Sequence, residues 1–243
     1  MNRRFCARST SPARRWGRRR FEPEPQGGTL NSELTEMLSG GVQIDLMRHE
    51  DIPSVRYVER RCFDSPWPRN AFNAELRRSD SACYLVLRLG EPVKSPGGPL
   101  PPARIGGILR RLAGREDWNE QNLVGFIGAW FLVDEVHITT IAVDPDYQSL
   151  GLGRLMLLLV TELGRSRGMK RLTLEVRESN QRARSIYRRM GFFEKAVRKR
   201  YYSDNREDAI VMWSEDINSP LCDEILDQTR TRLSERFHWR SNV

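Results

Sequence analysis

Two glycines at the start of a predicted helix are the first residues in this sequence that suggest chemistry. In residues 143–154 a strand pattern passes through a proline-containing loop into an apolar helix that begins near Gly151 and Gly153. The first turn of a helix has unpaired backbone N–H groups and a partial positive charge, and glycine lets a phosphate approach them closely. Arg154 adds a full positive charge. The segment is therefore predicted to bind an anion.

Two common phosphate-binding motifs fit this segment poorly. A P-loop continues with Gly-Lys-Ser or Gly-Lys-Thr, whereas Arg154 and Leu155 follow the second glycine, which excludes it. A dinucleotide-binding turn needs a third glycine where Met156 stands, and Glu175 would then be its ribose-binding acid. That interpretation, and an ordinary helix-capping turn without a ligand, remain open on these residues alone.

The segment resembles the pyrophosphate-binding motif of GNAT acetyltransferases, Gln/Arg-x-x-Gly-x-Gly/Ala, at Gln148, Gly151 and Gly153. The resemblance implies acetyl-coenzyme A as co-substrate. It also implies a mixed α/β fold, in which a central, mostly antiparallel twisted sheet is flanked by helices and splayed between the cofactor strand and the next. The implied cofactor-binding residues are Ile141, Ala142, Val143, Gln148, Ser149, Leu150, Gly151, Leu152, Gly153, Arg154 and Asn180. Asn180 is also a typical helix N-cap residue.

Glu175 and Tyr187 are the candidate catalytic residues. Acetyl transfer to an amine requires a base for the amine proton and an acid for the departing thiolate. The segments 174–180 and 187–192 resemble the ribosomal-protein-alanine N-acetyltransferases, the RimI-type branch of the family. That resemblance implies that Glu175 acts as base through water and that Tyr187 protonates coenzyme A. On the residues alone, Glu175 could be an outward-facing strand charge and Tyr187 a core aromatic.

Two further segments, 63–67 and 201–212, resemble the substrate-side loops of the same branch. The residues implied to line the path of a peptide are Phe63, Trp67, Tyr201 and Tyr202, although Trp67 could equally be a buried anchor after a proline turn. The implied reaction is acetylation of the α-amine of a protein N terminus, with an alanine-starting small-subunit ribosomal protein as the expected partner. The alternatives are acetylation of lysine or a small-molecule amine, and a non-catalytic acyl-coenzyme A-binding or nucleic-acid-tethered module.

Hydrophobic periodicity predicts the elements that must position these residues. Strands are expected near residues 42–46, 83–89, 123–132, 135–143, 171–176, 193–202 and 209–213, and helices near 52–62, 69–78, 152–167 and 181–190. The acetyltransferase domain is predicted over residues 41–213, with an insertion at about 90–122. Residues 214–243 are expected to be a C-terminal extension with an amphipathic helix that docks through Ile217, Leu221, Ile225 and Leu226.

Charge and composition narrow the possible partners and compartments. The net charge of +8 is carried by eight arginines within the first 20 residues, since the remaining 32 basic residues are balanced by 32 acidic ones. Residues 1–40 are predicted to be disordered, and could be a plain extension, an organelle transit peptide or an arm that contacts RNA or the ribosome. The expected compartment is the cytoplasm, or an organelle in the transit-peptide case. No apolar run is long enough to span a bilayer, and the four cysteines lack metal-site spacing, so no membrane partner and no metal are expected.

Overall fold

The structure is a computed structural model that describes residues 41–78, 81–89 and 122–241. The predicted disordered extension at 1–40 and nearly all of the predicted insertion at 90–122 lie outside these residues.

Strands and helices alternate along the described residues. The strands are β1 (Val42–Leu46), β2 (Ala82–Leu89), β3 (Leu123–Leu132), β4 (Glu135–Val143), β5 (Arg171–Arg177), β6 (Phe192–Arg198), β7 (Ala209–Ser214) and β8 (Trp239–Ser241). The α-helices are α1 (Ile52–Cys62), α2 (Ala71–Leu76), α3 (Leu152–Ser166), α4 (Gln181–Arg189) and α5 (Pro220–Ser234), and short 3₁₀ turns occupy His49–Asp51 and Pro145–Tyr147.

The strands form a single sheet in the order β6-β7-β5-β4-β3-β2-β1-β8. Neighbouring strands are antiparallel except for the pairs β4–β5 and β1–β8, which are parallel. The predicted mixed α/β fold with a mostly antiparallel sheet and flanking helices is therefore confirmed.

Both faces of the sheet are buried under helices. Side chains along a strand point alternately to these two faces. In β2, Cys83, Leu85 and Leu87 join the core that also contains α3, α4 and α5. Tyr84 and Val86, between them, join a smaller core with α1 and α2. The helices thus cover the sheet from two sides, and this fixes the strands whose ends form the site.

The sheet opens between β4 and β5, as expected. Parallel pairing of the two strands stops at Ile138 opposite Leu174. Just beyond, Gly128 of β3 pairs with Thr140 and Ala129 pairs with Ile138, which leaves Thr139 as an extra residue in β4. Such a β-bulge bends and twists the strand locally. The bulge therefore coincides with the point at which β4 turns away from β5.

The predicted strand near 193–202 was too long at its C-terminal end. Strand β6 ends at Arg198, and residues 199–208 form a loop. The side chain of Asp208 closes this loop, since it accepts from the backbone N–H of Arg200 and pairs with Lys199. Local hydrogen bonds of this kind compete with strand pairing.

The C-terminal residues contain more structure than the apolar periodicity indicated. Helix α5 begins after Ser219, whose hydroxyl accepts from the N–H of Cys222, and packs on α3. Of the four residues expected to dock it, Leu221 is exposed and Ile217 is buried before the helix starts. Beyond α5, β8 pairs with β1. The chain after residue 213 therefore adds both a helix and an edge strand to the domain.

Candidate active site

A groove of about 650 Å³ lies where β4 leaves β5, between the loop that follows β4 and helix α4. Its lining brings together the predicted cofactor residues Ile141, Ala142, Val143, Gln148, Ser149, Gly151, Leu152, Gly153, Arg154 and Asn180. Leu150 is the exception, because its side chain is buried in the core. Only the backbone of that residue could face a ligand.

The loop before α3 has an unusual backbone conformation. Ser149 and Gly151 both have positive φ angles, of 69° and 98°. Gly151 is the N-cap of α3 and, having no side chain, makes no cap hydrogen bond of its own. The first turn of α3 therefore presents backbone N–H groups that a ligand can bind, and glycine accommodates the left-handed conformation without the cost that a Cβ would bring.

Hydrogen bonds from Gln148 within the loop and from Arg182 of α4 hold the loop in this conformation. The amide of Gln148 donates to the carbonyl of Val143 at 2.9 Å. Arg182 of α4 donates to Oε1 of Gln148 at 2.8 Å and to Oγ of Ser149 at 2.7 Å. Gln148, the first fixed residue of the sequence motif, therefore ties the loop to the end of β4. The N-cap role expected for Asn180 is also present, since its side chain accepts from the N–H of Ala183.

The groove suits an anionic ligand. Four arginines line it, Arg154, Arg182, Arg189 and Arg236, and no acidic residue lies among the described residues of the lining. A Cβ added at Gly153 would meet nothing within 4 Å, so there is open space beside the first turn of α3. Both observations fit the phosphates of an acyl-coenzyme A.

Tyr187 lies in the wall of this groove on α4. Its side chain is also part of the core, as the plain structural interpretation expected: it is 7% exposed and its ring lies 5.8 Å from that of Phe192. Burial raises its pKa well above the usual tyrosine value, and the nearby Tyr202 contributes in the same direction. The hydroxyl therefore keeps its proton at neutral pH.

Glu175 lies outside the groove lining, on β5, and its side chain is only 8% exposed. Its Oε1 is 3.0 Å from Nη1 of Arg198, and its Oε2 is 3.4 Å from Nε2 of His137. Nδ1 of His137 is in turn 2.9 Å from Oγ1 of Thr173. Glu175 is thus the centre of a polar cluster rather than an isolated surface charge.

Sequence reasoning did not identify His137 or Arg198. The register of β4 with β5 places His137 opposite Thr173, two residues before Glu175 on the same face of the sheet. That pairing could not be read from either strand alone, although a histidine within an apolar strand pattern was a signal that could have been followed.

Tyr202 interacts electrostatically with both candidate catalytic residues, Glu175 and Tyr187. Burial raises its pKa to about 12, and the negative charge of Glu175 acts in the same direction. Its ring stacks under the guanidinium of Arg177 at 3.9 Å and meets the ring of Tyr201 at 5.3 Å.

The two predicted substrate segments meet at one place. Oγ of Ser65, in the first segment, is 3.4 Å from Oδ2 of Asp204 in the second. Phe63 and Tyr201 are well exposed, at 38% and 47%. Both lie outside the groove, on these loops.

Trp67 behaves as an anchor, which was the alternative to substrate contact. Its ring stacks on Phe72 at 5.4 Å. Its backbone N–H donates to the carboxylate of Glu59 at 2.7 Å, and its backbone carbonyl accepts from Arg56 at 2.5 Å. It is half-buried, so one edge remains accessible. Substrate contact by this residue stays a prediction.

Neither a metal centre nor a membrane span is found where the structure describes the chain. No group of three or more histidine, cysteine or acidic side chains there could hold a metal ion. No described helix is long and apolar enough to cross a bilayer.

Comparison with known proteins gives the class of this protein. A sequence profile of the acetyltransferase (GNAT) family matches residues 109–192. A candidate [ribosomal protein bS18]-alanine N-acetyltransferase from Bacillus subtilis (strain 168) is 33% identical over 167 residues, which cover 69% of this chain and 91% of the relative. The [ribosomal protein bS18]-alanine N-acetyltransferase of Escherichia coli (strain K12) is 30% identical over 171 residues, or 70% of this chain and 94% of the relative.

Solved structures agree with the sequence comparisons. The crystal structure of the ribosomal-protein-S18-alanine N-acetyltransferase from Escherichia coli has a TM-score of 0.55 at 28% identity, and the match covers 72% of this chain and 94% of that one. The structure of Ard1 from Thermoplasma volcanium, at 22% identity, TM-score 0.56 and coverage of 72% and 98%, supports the fold alone. The fold, the site and the relatives define an acetyl-coenzyme A-dependent N-acetyltransferase. The chain belongs to the GNAT acetyltransferase family, as its motif predicted.

Proposed function

We propose that this enzyme binds acetyl-coenzyme A in the groove and transfers the acetyl group to the α-amine of a protein N terminus. The proposed substrate is a ribosomal protein that begins with alanine. The names of the Bacillus subtilis and Escherichia coli relatives support this, since both refer to the alanine of ribosomal protein bS18. The meeting of the two substrate segments at Ser65 and Asp204 gives a site where a peptide could lie.

The observation that carries the proposal is the placement of Tyr187 and Glu175 in different surroundings. Tyr187 is in the groove wall, where a bound acetyl-coenzyme A would supply the thioester, and Glu175 is beside the loop that contains Tyr202. A proton is needed at the departing sulfur and must be removed at the attacking amine. Tyr187 is thus on the side of the cofactor and Glu175 is on the side of the substrate.

The surroundings of Glu175 suit a base that works through water. The carboxylate is held in place from two directions, by His137 and by Arg198. The side chain of Arg198 is 55% exposed, so it can move aside when a peptide arrives. A water or the substrate amine would then take a position next to Oε1, where it can donate its proton.

The preference for an α-amine follows from proton affinity. An α-amine with a pKa of roughly 7.8 is about a tenth unprotonated at neutral pH, whereas a lysine amine with a pKa of about 10.4 is more than ~100-fold less so. The difference corresponds to about 3.5 kcal/mol at the start of the reaction. A single carboxylate acting through water is better matched to the amine that is easier to deprotonate.

The test compares two versions of one alanine-starting peptide, one with only the α-amine free and one with only a lysine amine free. Mass spectrometry is expected to show faster acetylation of the α-amine version. Glu175→Gln should lower that rate by about 100-fold or more, since general base catalysis contributes on that order. Glu162→Gln, which removes a carboxylate from a surface ion pair on α3, is the matched control. Faster acetylation of the lysine version would contradict the proposed substrate and leave the acetyltransferase assignment standing.

A further inference from the structure

Helix α5 is packed directly against the loop that begins the groove. A Cβ at Gly151 would lie 2.7 Å from Cδ2 of Leu233, and one at Gly191 would lie 3.1 Å from Cδ1 of Ile225. Arg230 pairs with Glu162 of α3. The helix therefore contacts both the N-terminal end of α3, which lines the groove, and the turn that follows α4.

The residue that follows this helix by two positions reaches the groove itself. Arg236 is part of the groove lining, and its Nη1 donates to the carbonyl of Ser149 at 3.3 Å and to that of Leu150 at 3.5 Å. These hydrogen bonds orient the guanidinium toward the loop before α3. The charge of Arg236 is thereby placed next to the first turn of α3.

Arg232, within α5 itself, lines a small cleft next to the groove. Arg154 and Arg189 line both the groove and this cleft. Among the described residues, no acidic side chain lines either space. Guanidinium groups from α3, α4 and α5 thus converge on one place, although like charges repel at short range. An anion with several oxygens would offset that repulsion, because the planar guanidinium matches phosphate geometry.

We propose that the C-terminal segment completes the cofactor site, with Arg236 and Arg232 binding a phosphate of coenzyme A. The inference depends on the use of acetyl-coenzyme A proposed above. Coenzyme A offers two sources of this chemistry, its pyrophosphate and the 3′-phosphate of its ribose. The N–H groups in the first turn of α3 already suit one phosphate, and the arginines beyond them extend the anion site toward α5.

The experiment measures binding by calorimetry on the full-length protein, with coenzyme A and with 3′-dephospho-coenzyme A as ligands. Arg236→Ala is expected to weaken the binding of coenzyme A by about tenfold or more, and Arg232→Ala by a smaller factor. Arg236→Lys should recover part of the loss, because it keeps the charge but not the fork of donors. Arg230→Ala is the matched control, since Arg230 lies on the same helix and lines neither space.

The two ligands identify which phosphate is bound. If the loss in Arg236→Ala disappears with 3′-dephospho-coenzyme A, the arginine binds the 3′-phosphate, and if the loss persists it binds the pyrophosphate. Either result supports the inference. Coenzyme A affinity within about twofold of wild type in Arg236→Ala would overturn it. An equal loss in Arg230→Ala would also overturn it, because that result would trace the effect to the docking of α5. A wild-type protein that does not bind coenzyme A would refute the proposed cofactor itself.

Discussion

Replacing Gly153 by leucine should separate cofactor binding from folding. Gly153 is the second residue of α3, its φ is that of an ordinary helical residue, and an added Cβ would meet nothing within 4 Å. Side chains on a helix lean toward its N terminus. A leucine here would therefore extend over the N–H groups where the phosphates are expected. The fold should tolerate the change, whereas binding of the ligand should be weakened.

The substitution is expected to raise the stability of the fold and to lower the affinity for the ligand. Leucine in place of glycine raises helix propensity, which would stabilise α3 by up to about 1 kcal/mol and raise the melting temperature by up to ~4 °C. Loss of one charge-assisted hydrogen bond to a phosphate costs about 1.5–3 kcal/mol, which corresponds to about tenfold to over 100-fold in affinity. Gly153→Ala is the matched control, because the family motif accepts alanine at this position, so its affinity should stay close to wild type.

Gly151 is the less suitable residue for this test. Its φ of 98° disfavours any other amino acid, at about 1–2 kcal/mol, and a Cβ would lie 2.7 Å from Leu233. Gly151→Ala should therefore lower the melting temperature by about 4 °C or more and disturb α5. Any loss of affinity in that variant would mix two causes.

The assay is calorimetry with coenzyme A, accompanied by thermal unfolding of each variant. We expect Gly153→Leu to be at least as stable as wild type and to bind at least about tenfold more weakly. A folded Gly153→Leu protein with wild-type affinity would refute the placement of the phosphates over the N terminus of α3.

Three further predictions concern Tyr187, a buried hydrogen bond of the core and the loop after β6. Tyr187→Phe should slow turnover by about 100-fold with little change in coenzyme A affinity. Because burial raises the pKa of Tyr187, turnover of the wild-type enzyme should not fall as the pH rises to about 9. Glu75→Ala removes the buried acceptor of the Trp130 indole N–H, at 2.5 Å, and should lower the free energy of unfolding by about 1–3 kcal/mol in urea titrations. Hydrogen bonds from Ser179 are the main cause that lowers the pKa of Glu207 to about 2. The pKa of a glutamate in the unfolded chain is about 4.3, so the ordering of the loop around Glu207 should be constant above pH 5 and weaken only as the pH falls toward 2. Hydrogen exchange that shows loosening of this loop near pH 7 would contradict the prediction.

Local sequence was sufficient where the site depends on consecutive residues. The run from Ile141 to Arg154 forms strand, loop and helix start in the predicted order. Every residue in this run that was predicted to bind the cofactor lines the groove, except Leu150. The apolar residues 83–89 were likewise predicted as a strand, and β2 covers them. These features depend on periodicity and backbone chemistry, which act over a few residues.

The parts that sequence did not predict depend on pairing across long separations. The contact of Glu175 with His137 requires the register of two parallel strands. The bulge at Thr139, which begins the separation of those strands, is visible only in the pairing of β4 with β3. Arg236 reaches a loop more than 80 residues earlier in the chain, after a helix whose own apolar pattern is weak. No local pattern in the sequence contains such information.

The distant contacts also explain how a strained loop can be held ready for a ligand. Ser149 has a positive φ of 69°, a backbone conformation that costs free energy in a residue other than glycine unless the surroundings stabilise it. Arg182 fixes the side chain of Ser149 from α4, and Arg236 donates to its carbonyl from beyond α5. Because these contacts form within the protein, the loop does not have to be ordered when the ligand binds, and less binding free energy is lost to conformational entropy. The C-terminal segment therefore contributes to the groove twice, by ordering the loop and by adding positive charge beside it.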